Sequence, residues 1–208
     1  MYIYILHNIN KMLINPLDYS ISELNTIKPA SGRLLIAEPF MDDLHFKRSV
    51  ILLTEYKSEG AFGFMLNQKL EITINDVMID FPEFDAPIYM GGPVDPDSLF
   101  YIHTKGDLIE NSQHIVDNLY WAGNFDQLKT MVKNNQIRPN EIMFFIGYSG
   151  WDFTQLAQEI KSESWLISKV GSNPIINLKE KNIWKNTLEK MGGKCATLAG
   201  FPEDPSLN

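Results

Sequence analysis

The sequence predicts a single α+β domain built on a mixed β-sheet, and three observations carry that reading. Strand-like runs outnumber helical patterns, and the two do not alternate one for one as they would in a doubly wound protein. A chain of 208 residues fits one large domain, and at that size roughly 70% of the unfolded surface is buried without disulfide or metal support. The composition, 44% hydrophobic and 21% charged, is that of a globular protein and excludes disorder for the whole.

Taken in order, residues 1–30 read as an N-terminal extension, in which Ile21 and Leu24 suit a short docked helix, and 31–208 as the domain. Arg33–Ala37 and Val50–Thr54 are short, β-branched or leucine-rich runs, read as mostly buried strands, with a loop at Pro39–Asp43 between them. Ala61–Asn67 is a third strand, entered through a hairpin turn at Glu59-Gly60. Gly63 inside it marks a bulge or a close backbone approach. Thr73 with Asp76 forms a capping box for a helix ending before Pro82. Ile88–Met90, Leu99–His103 and His114–Trp121 are further strands. Asn124 with Gln127 opens a helix that turns Phe125, Leu128, Met131 and Val132 inward. Ile142–Ile146 is the most apolar strand and belongs at the centre. Asp152 with Gln155 opens the next helix, with Phe153, Leu156, Ala157 and Ile160 inward. Trp165–Val170 is a strand, and Ile183–Met191 a last helix stopped by Gly192-Gly193.

The charge balance is acidic, 18 Lys plus Arg against 26 Asp plus Glu, net −8. Only Arg33, Arg48 and Arg138 are arginines. Affinity for nucleic acid comes largely from neutralising phosphates, so direct binding to it is disfavoured. The single cysteine, Cys195, excludes an internal disulfide and a thiolate metal cluster, which suits a reducing compartment. Met1–Leu6 lacks the basic flank and apolar length of a signal peptide, and no apolar run approaches the roughly 20 residues of a membrane span. The expected location is the cytoplasm, with no membrane contact.

Gly147-Tyr148-Ser149-Gly150-Trp151, at an expected strand-to-helix junction, is the sharpest motif. A nucleophile elbow requires glycine where Trp151 stands, and a histidine after the serine, whereas the last histidine is His114. A tight turn with Trp151 buried is the better reading, and backbone N–H groups there could meet an anion. Gly91-Gly92-Pro93 fits a plain turn or the wall of a ligand site. Glu38, Asp42, Asp43, His45 and Arg48 form the richest polar cluster and the one set that offers acid/base chemistry or a hard-cation site, although Asp42-Asp43 reads equally as a solvated loop with Arg48 paired to one acid. Lys179 to Lys194 holds five lysines against two glutamates, the only support for contact with a phosphate backbone. No cofactor fingerprint or metal motif is found, and neither a cofactor nor a metal is expected.

The ordered segments resemble those of the AlgH/YqgE proteins. The matching residues are Gly32–Pro39, Phe46, Arg48–Ile51, Glu55, Gly60–Asn67, Gly91–Val94, Gly147–Trp151, Gln155-Leu156, Glu159-Ile160, Trp165-Leu166 and Trp184. Each motif alone is weak, and the set in the right order is strong. The resemblance implies a compact α+β domain whose mixed sheet is curved and barrel-like, flanked by three to four helices. It implies no settled activity; some members are labelled transcriptional regulators through effects on gene expression. Three departures stand out. Thr54 occupies a position where many relatives have cysteine, and Ser149 one where alanine is common. Gln68-Lys69 replaces a basic residue and proline.

The preferred function is a non-enzymatic binding or regulatory module acting through a protein partner or a small ligand. Its site is expected at Glu38, Arg48, Asn67, Gly91, Gly92 and Trp151, in loops at strand ends. The alternatives are a hydrolase or transferase acting on an anionic small molecule, and a DNA-contacting transcriptional regulator.

Overall fold

A computed structural model describes residues 20–152, 154–171 and 181–203 of the chain. Lys179 and Phe153 lie outside the described residues. The strands are β1 (Arg33–Ala37), β2 (Val50–Lys57), β3 (Gly60–Met65), β4 (Lys69–Thr73), β5 (Pro87–Met90), β6 (Val94–His103), β7 (Gln113–Val116), β8 (Leu119–Trp121), β9 (Ile142–Asp152) and β10 (Trp165–Lys169). The α-helices are α1 (Ile21–Leu24), α2 (Ile74–Val77), α3 (Phe125–Lys133), α4 (Gln155–Lys161), α5 (Ile183–Met191) and α6 (Gly193–Leu198). That is more than the three to four expected, because α1 and α2 are single turns and α6 restarts directly after the Gly192 stop.

The sheet follows the order β10-β1-β2-β3-β9-β6-β8-β7, with β4 and β5 on a side branch. β9 is the pivot. Its whole first part pairs with β6 on one side. On the other side Phe144–Ile146 pairs in parallel with β5, and Ser149–Asp152 then pairs antiparallel with β3. The remaining described pairings are antiparallel, so the sheet is mixed, as expected.

Alternation along each strand sends successive side chains to opposite faces. Leu34, Ile36, Val50, Leu52, Phe64, Tyr89, Ile102, Met143 and Phe145 share one core with Ile183, Trp184 and Leu188 of α5 and Cys195 and Leu198 of α6. The opposite face is split. Leu35, Ile51, Leu53, Met65 and Trp165 pack with Leu156 of α4, whereas Ile88, Tyr101, Ile142 and Phe144 pack with Leu128, Met131 and Val132 of α3. Strands covered on both sides must be apolar at every position, which is why Val50–Leu53 reads as an unbroken run. The sheet curls until a Cβ on Gly32 would lie 2.5 Å from the Val116 side chain on β7. It stays open, since β10 and β7 are its unpaired ends. No helix among the described residues is long and apolar enough to cross a membrane.

Local chemistry follows the expected lines at several ends. The Asn124 side chain accepts from the Asp126 and Gln127 N–H groups, and Thr73 and Asp76 close a capping box. Gly63 lies against the Leu52 carbonyl, next to a register shift between Leu53 and Glu55. Three readings need correction. His114–Trp121 is not one strand but the β7–β8 hairpin, turned at Asp117, whose φ is +48°. Gly147–Trp151 is not a strand-to-helix turn but part of β9, and the following helix begins after Thr154, which makes no side-chain cap bond, while the Asp152 N–H donates to Gln155 Oε1. Ala157 is exposed rather than inward.

Candidate functional site

β1 ends at Ala37, and the Glu38 N–H donates to Ser164 O at 3.0 Å, so the chain leaves the sheet beside the start of β10. The loop then folds on itself: Phe40 N–H donates to Glu38 Oε2 (2.8 Å) and His45 N–H to Asp43 Oδ1 (2.8 Å). Phe46 swings back onto the indoles of Trp165, edge-on at 5.7 Å, and Trp151, stacked at 6.4 Å. Between this loop, α4, Ile21 of α1, and Leu198 and Phe201 lies a cavity of about 640 Å³.

Glu159 organises one wall. Its Oε2 accepts both indole N–H groups, from Trp151 and Trp165, at 2.8 Å each, and its Oε1 accepts from Gln155 Nε2 at 3.0 Å. Glu163 Oε1 accepts from the hydroxyls of Ser20 (2.5 Å) and Ser22 (3.0 Å), which joins α1 to the end of α4. The Ser20 hydroxyl also holds the Glu163 carboxyl below its ordinary pKa. Glu38, Asp42, Asp43, Glu159 and Glu163 all line the cavity, and among the described residues no lysine, arginine or histidine does. Burial raises the Glu38 pKa, opposed in part by the Phe40 N–H.

Of the six residues expected in a site, Glu38 alone lines this cavity. Arg48 backs it: its guanidinium lies 4.4 Å over the Trp184 ring and donates to the carbonyl of Phe201, a lining residue, at 2.6 Å. Asn67 fixes Arg48 in turn. Its Nδ2 donates to Arg48 O (2.9 Å) and its Oδ1 accepts from Val50 N–H (3.0 Å), which holds Arg48 at φ +51°. Trp151 is buried and reaches the wall through Glu159.

Gly91 and Gly92 sit where β9 changes partner. Gly91 N–H donates to Ile146 O, and Gly91 O accepts from Met65 N–H and from the Ser149 hydroxyl. A Cβ on Gly91 would lie 2.2 Å from Gly147 O, so the two glycine motifs exist at least to let these backbones touch. The Ser149 hydroxyl is fully buried in that bond.

From the acid/base cluster the fold gathers Glu38, Asp42 and Asp43 but leaves His45 and Arg48 outside the cavity lining. His103, which sequence reasoning passed over, is wholly buried. It accepts from Lys105 N–H and bonds Ala122 O, and burial pushes its pKa down to about 4, so it is a neutral structural group near pH 7. Glu159, Glu163 and Trp165 were missed as site residues. The Gln155–Glu159–Glu163 spacing at i, i+4 and i+8 was the available signal for one face of a helix and its end.

A second cavity, of about 560 Å³, opens where α5 and α6 do not reach. Its lining includes the rings of Phe62 (β3), Phe100 (β6), Trp121 (β8) and Tyr148 (β9), the expected site residue Trp151, and the polar residues Glu55, Lys57, Glu59, Asp152 and Gln155. The Phe62 ring stands nearly perpendicular to Trp121 (76°, 4.8 Å) and to Tyr148 (79°, 5.6 Å), and Tyr148 to Phe100 (77°, 5.7 Å). Lys57 is ion-paired with Glu55.

These features place the chain among α+β domains with an open, curled mixed sheet. A family model described as AlgH-like matches residues 34–196, and the chain belongs to that family. A UPF0301 protein of Parabacteroides distasonis is 41% identical over 186 residues, covering 88% of this chain and 94% of that one. Another, from Cytophaga hutchinsonii, is 40% identical over 178 residues, covering 85% and 98%. Among solved structures, a Corynebacterium diphtheriae protein superposes with a TM-score of 0.72 at 20% identity, covering 91% of this chain and all of its own. The AlgH protein of Pseudomonas aeruginosa does so with a TM-score of 0.66 at 23% identity, covering 85% and 98%. At those identities the structures attest the fold alone.

Proposed function

We propose that this chain is a non-enzymatic, cytoplasmic binding module that receives a cationic group in the carboxylate-lined cavity, carried by a small ligand or by a partner's basic segment. One observation carries the reading: five acidic residues line about 640 Å³ of open space with no basic side chain among the described lining. Unbalanced negative charge in a partly enclosed site favours a cation. No group of three or more metal-competent side chains comes together among the described residues, which supports an organic cation over a metal ion. In this reading Glu38, Asp42 and Asp43 meet the ligand. Arg48, Asn67 and Trp151 brace the walls, while Gly91 and Gly92 lie apart from this cavity, at the junction where β9 changes partner.

The hydrolase or transferase reading is weakened by the same cavity, whose charge would repel an anionic substrate, and by the separation of His45 and Arg48 from the carboxylates. The regulator reading loses support from the lysine segment, where Lys185 is near Glu189 in the same helix.

A thermal-shift screen with linear polyamines, guanidinium compounds and Lys/Arg-rich peptides tests the proposal. A ligand at about 100 times its dissociation constant stabilises by about 2.7 kcal/mol, roughly 5–10 °C for a domain of this size. The shift should shrink with added salt and vanish in a Glu38→Gln, Asp42→Asn double variant. Equal shifts from neutral analogues, or none from any cation, would overturn it.

A further inference from the structure

The second cavity is separate from the carboxylate one, sharing only Gln155 with it. Its rings come from four strands, and all four are only partly buried although they belong to the face that α5 and α6 cover elsewhere. Half-buried rings gathered around one open cavity are uncommon on a domain with no use for them. Ring faces carry negative electrostatic potential, and the near-perpendicular packing makes Phe62 the corner between Trp121 and Tyr148. Around the rings stand Glu55, Glu59 and Asp152 against Lys57 alone, and Lys57 is already held by Glu55. An aromatic lining and a net negative rim both favour cations over anions. A small, strongly hydrated metal ion gains little from rings, whereas an alkylated ammonium presents a broad, weakly hydrated positive surface to them.

We infer that this groove is a binding site for an organic ammonium cation, its charged head against Phe62, Trp121 and Tyr148 and within reach of the Glu55, Glu59 and Asp152 rim. Val94 and Phe100 extend the apolar floor for the rest of the ligand. The inference stands on residues other than those of the proposed function and survives the failure of that reading.

The test uses the full chain, choline as probe, and choline's neutral isostere in which carbon replaces the quaternary nitrogen. Tryptophan fluorescence and amide chemical shifts follow both titrations to about 10 mM, the range of weak small-ligand binding. The cation should bind about tenfold more tightly than the isostere, the order a partly desolvated cation–π contact supplies. Tyr148→Leu should abolish that preference. Glu59→Gln with Asp152→Asn on the exposed rim, which leaves the rings untouched, should weaken choline about fivefold. The Glu38→Gln, Asp42→Asn variant should bind choline as the parent does, which separates this site from the carboxylate cavity. Equal affinity for the isostere would make the groove a plain apolar slot. A dimer in sedimentation that Tyr148→Leu dissociates would make its occupant a second copy. Either result, or no binding of either probe, overturns the inference.

Discussion

The two cavities share Gln155 and differ in almost everything else. One is made by a loop: Glu38–Phe46 leaves the sheet, turns on its own carboxylates, and is pinned by Phe46 against two tryptophans. The other is made by strands, with rings fixed by the registers of β3, β6, β8 and β9. Loop walls held by side-chain hydrogen bonds can be altered one residue at a time. Strand walls cannot, because every register depends on its neighbours. The contrast teaches that the carboxylate cavity is adjustable and the aromatic groove preset.

The largest effect should come from a change that breaks the strand-built groove at its root. Gly147 has φ +66°, and a Cβ there would lie 2.5 Å from Gly92 O and 2.9 Å from Val94 O. Gly147→Val should cost more than about 3 kcal/mol in urea unfolding, from backbone strain and the clash together. A loss below about 1 kcal/mol would mean the junction under the groove is soft.

Next comes the wall of the loop-built cavity. Glu159→Ala leaves two indole N–H groups without their acceptor, at about 2–4 kcal/mol. Glu159→Gln keeps an acceptor oxygen and should cost about 1 kcal/mol. Both should change tryptophan emission while leaving binding in the groove intact, so loss of choline binding in either variant would merge the two sites. Arg48→Ala removes the contact with Trp184 and the bond to Phe201 O, at about 1–2 kcal/mol, measured by the same unfolding.

The smallest effect is in pH. Burial raises the Glu38 pKa above its ordinary 4.5, so folding favours the protonated acid. Its contribution is whole below that ordinary value and is lost as pH rises through the higher folded value. Glu38→Gln should therefore be slightly more stable than the parent at neutral pH and match it in acid. Parallel melting curves across that range check this, and a variant less stable at neutral pH would mean the Glu38 charge is held by the wall and not waiting for a ligand.

The sheet was largely legible because strands buried on both faces leave unbroken apolar runs, as Val50–Leu53 and Ile142–Phe145 do. Gly147 and Gly150 hid the rest of β9, since glycine in sequence looks the same whether it makes a turn or lets two strands touch. Lys69–Thr73 alternates polar and apolar residues, and its charged positions masked a half-exposed strand. In the carboxylate cavity, Glu38, Asp42 and Asp43 could be grouped because they are neighbours in the chain. Glu159 and Glu163 arrive only by tertiary folding. The rings of the groove were invisible as a set: each sits on a different strand, and an aromatic residue on a strand reads as core.

The partner change along β9 also bears on how the chain is made. β9 bonds to β3, β5 and β6, all of which precede it by tens of residues. During vectorial synthesis those strands must wait, edges unpaired, until Ile142–Asp152 has emerged, and β1 must wait longer for β10. Such late, non-local closure makes for slow folding and exposed strand edges. Nascent chains stalled before residue 142 should therefore stay protease-sensitive, and those carrying the full strand beyond the exit tunnel should begin to resist.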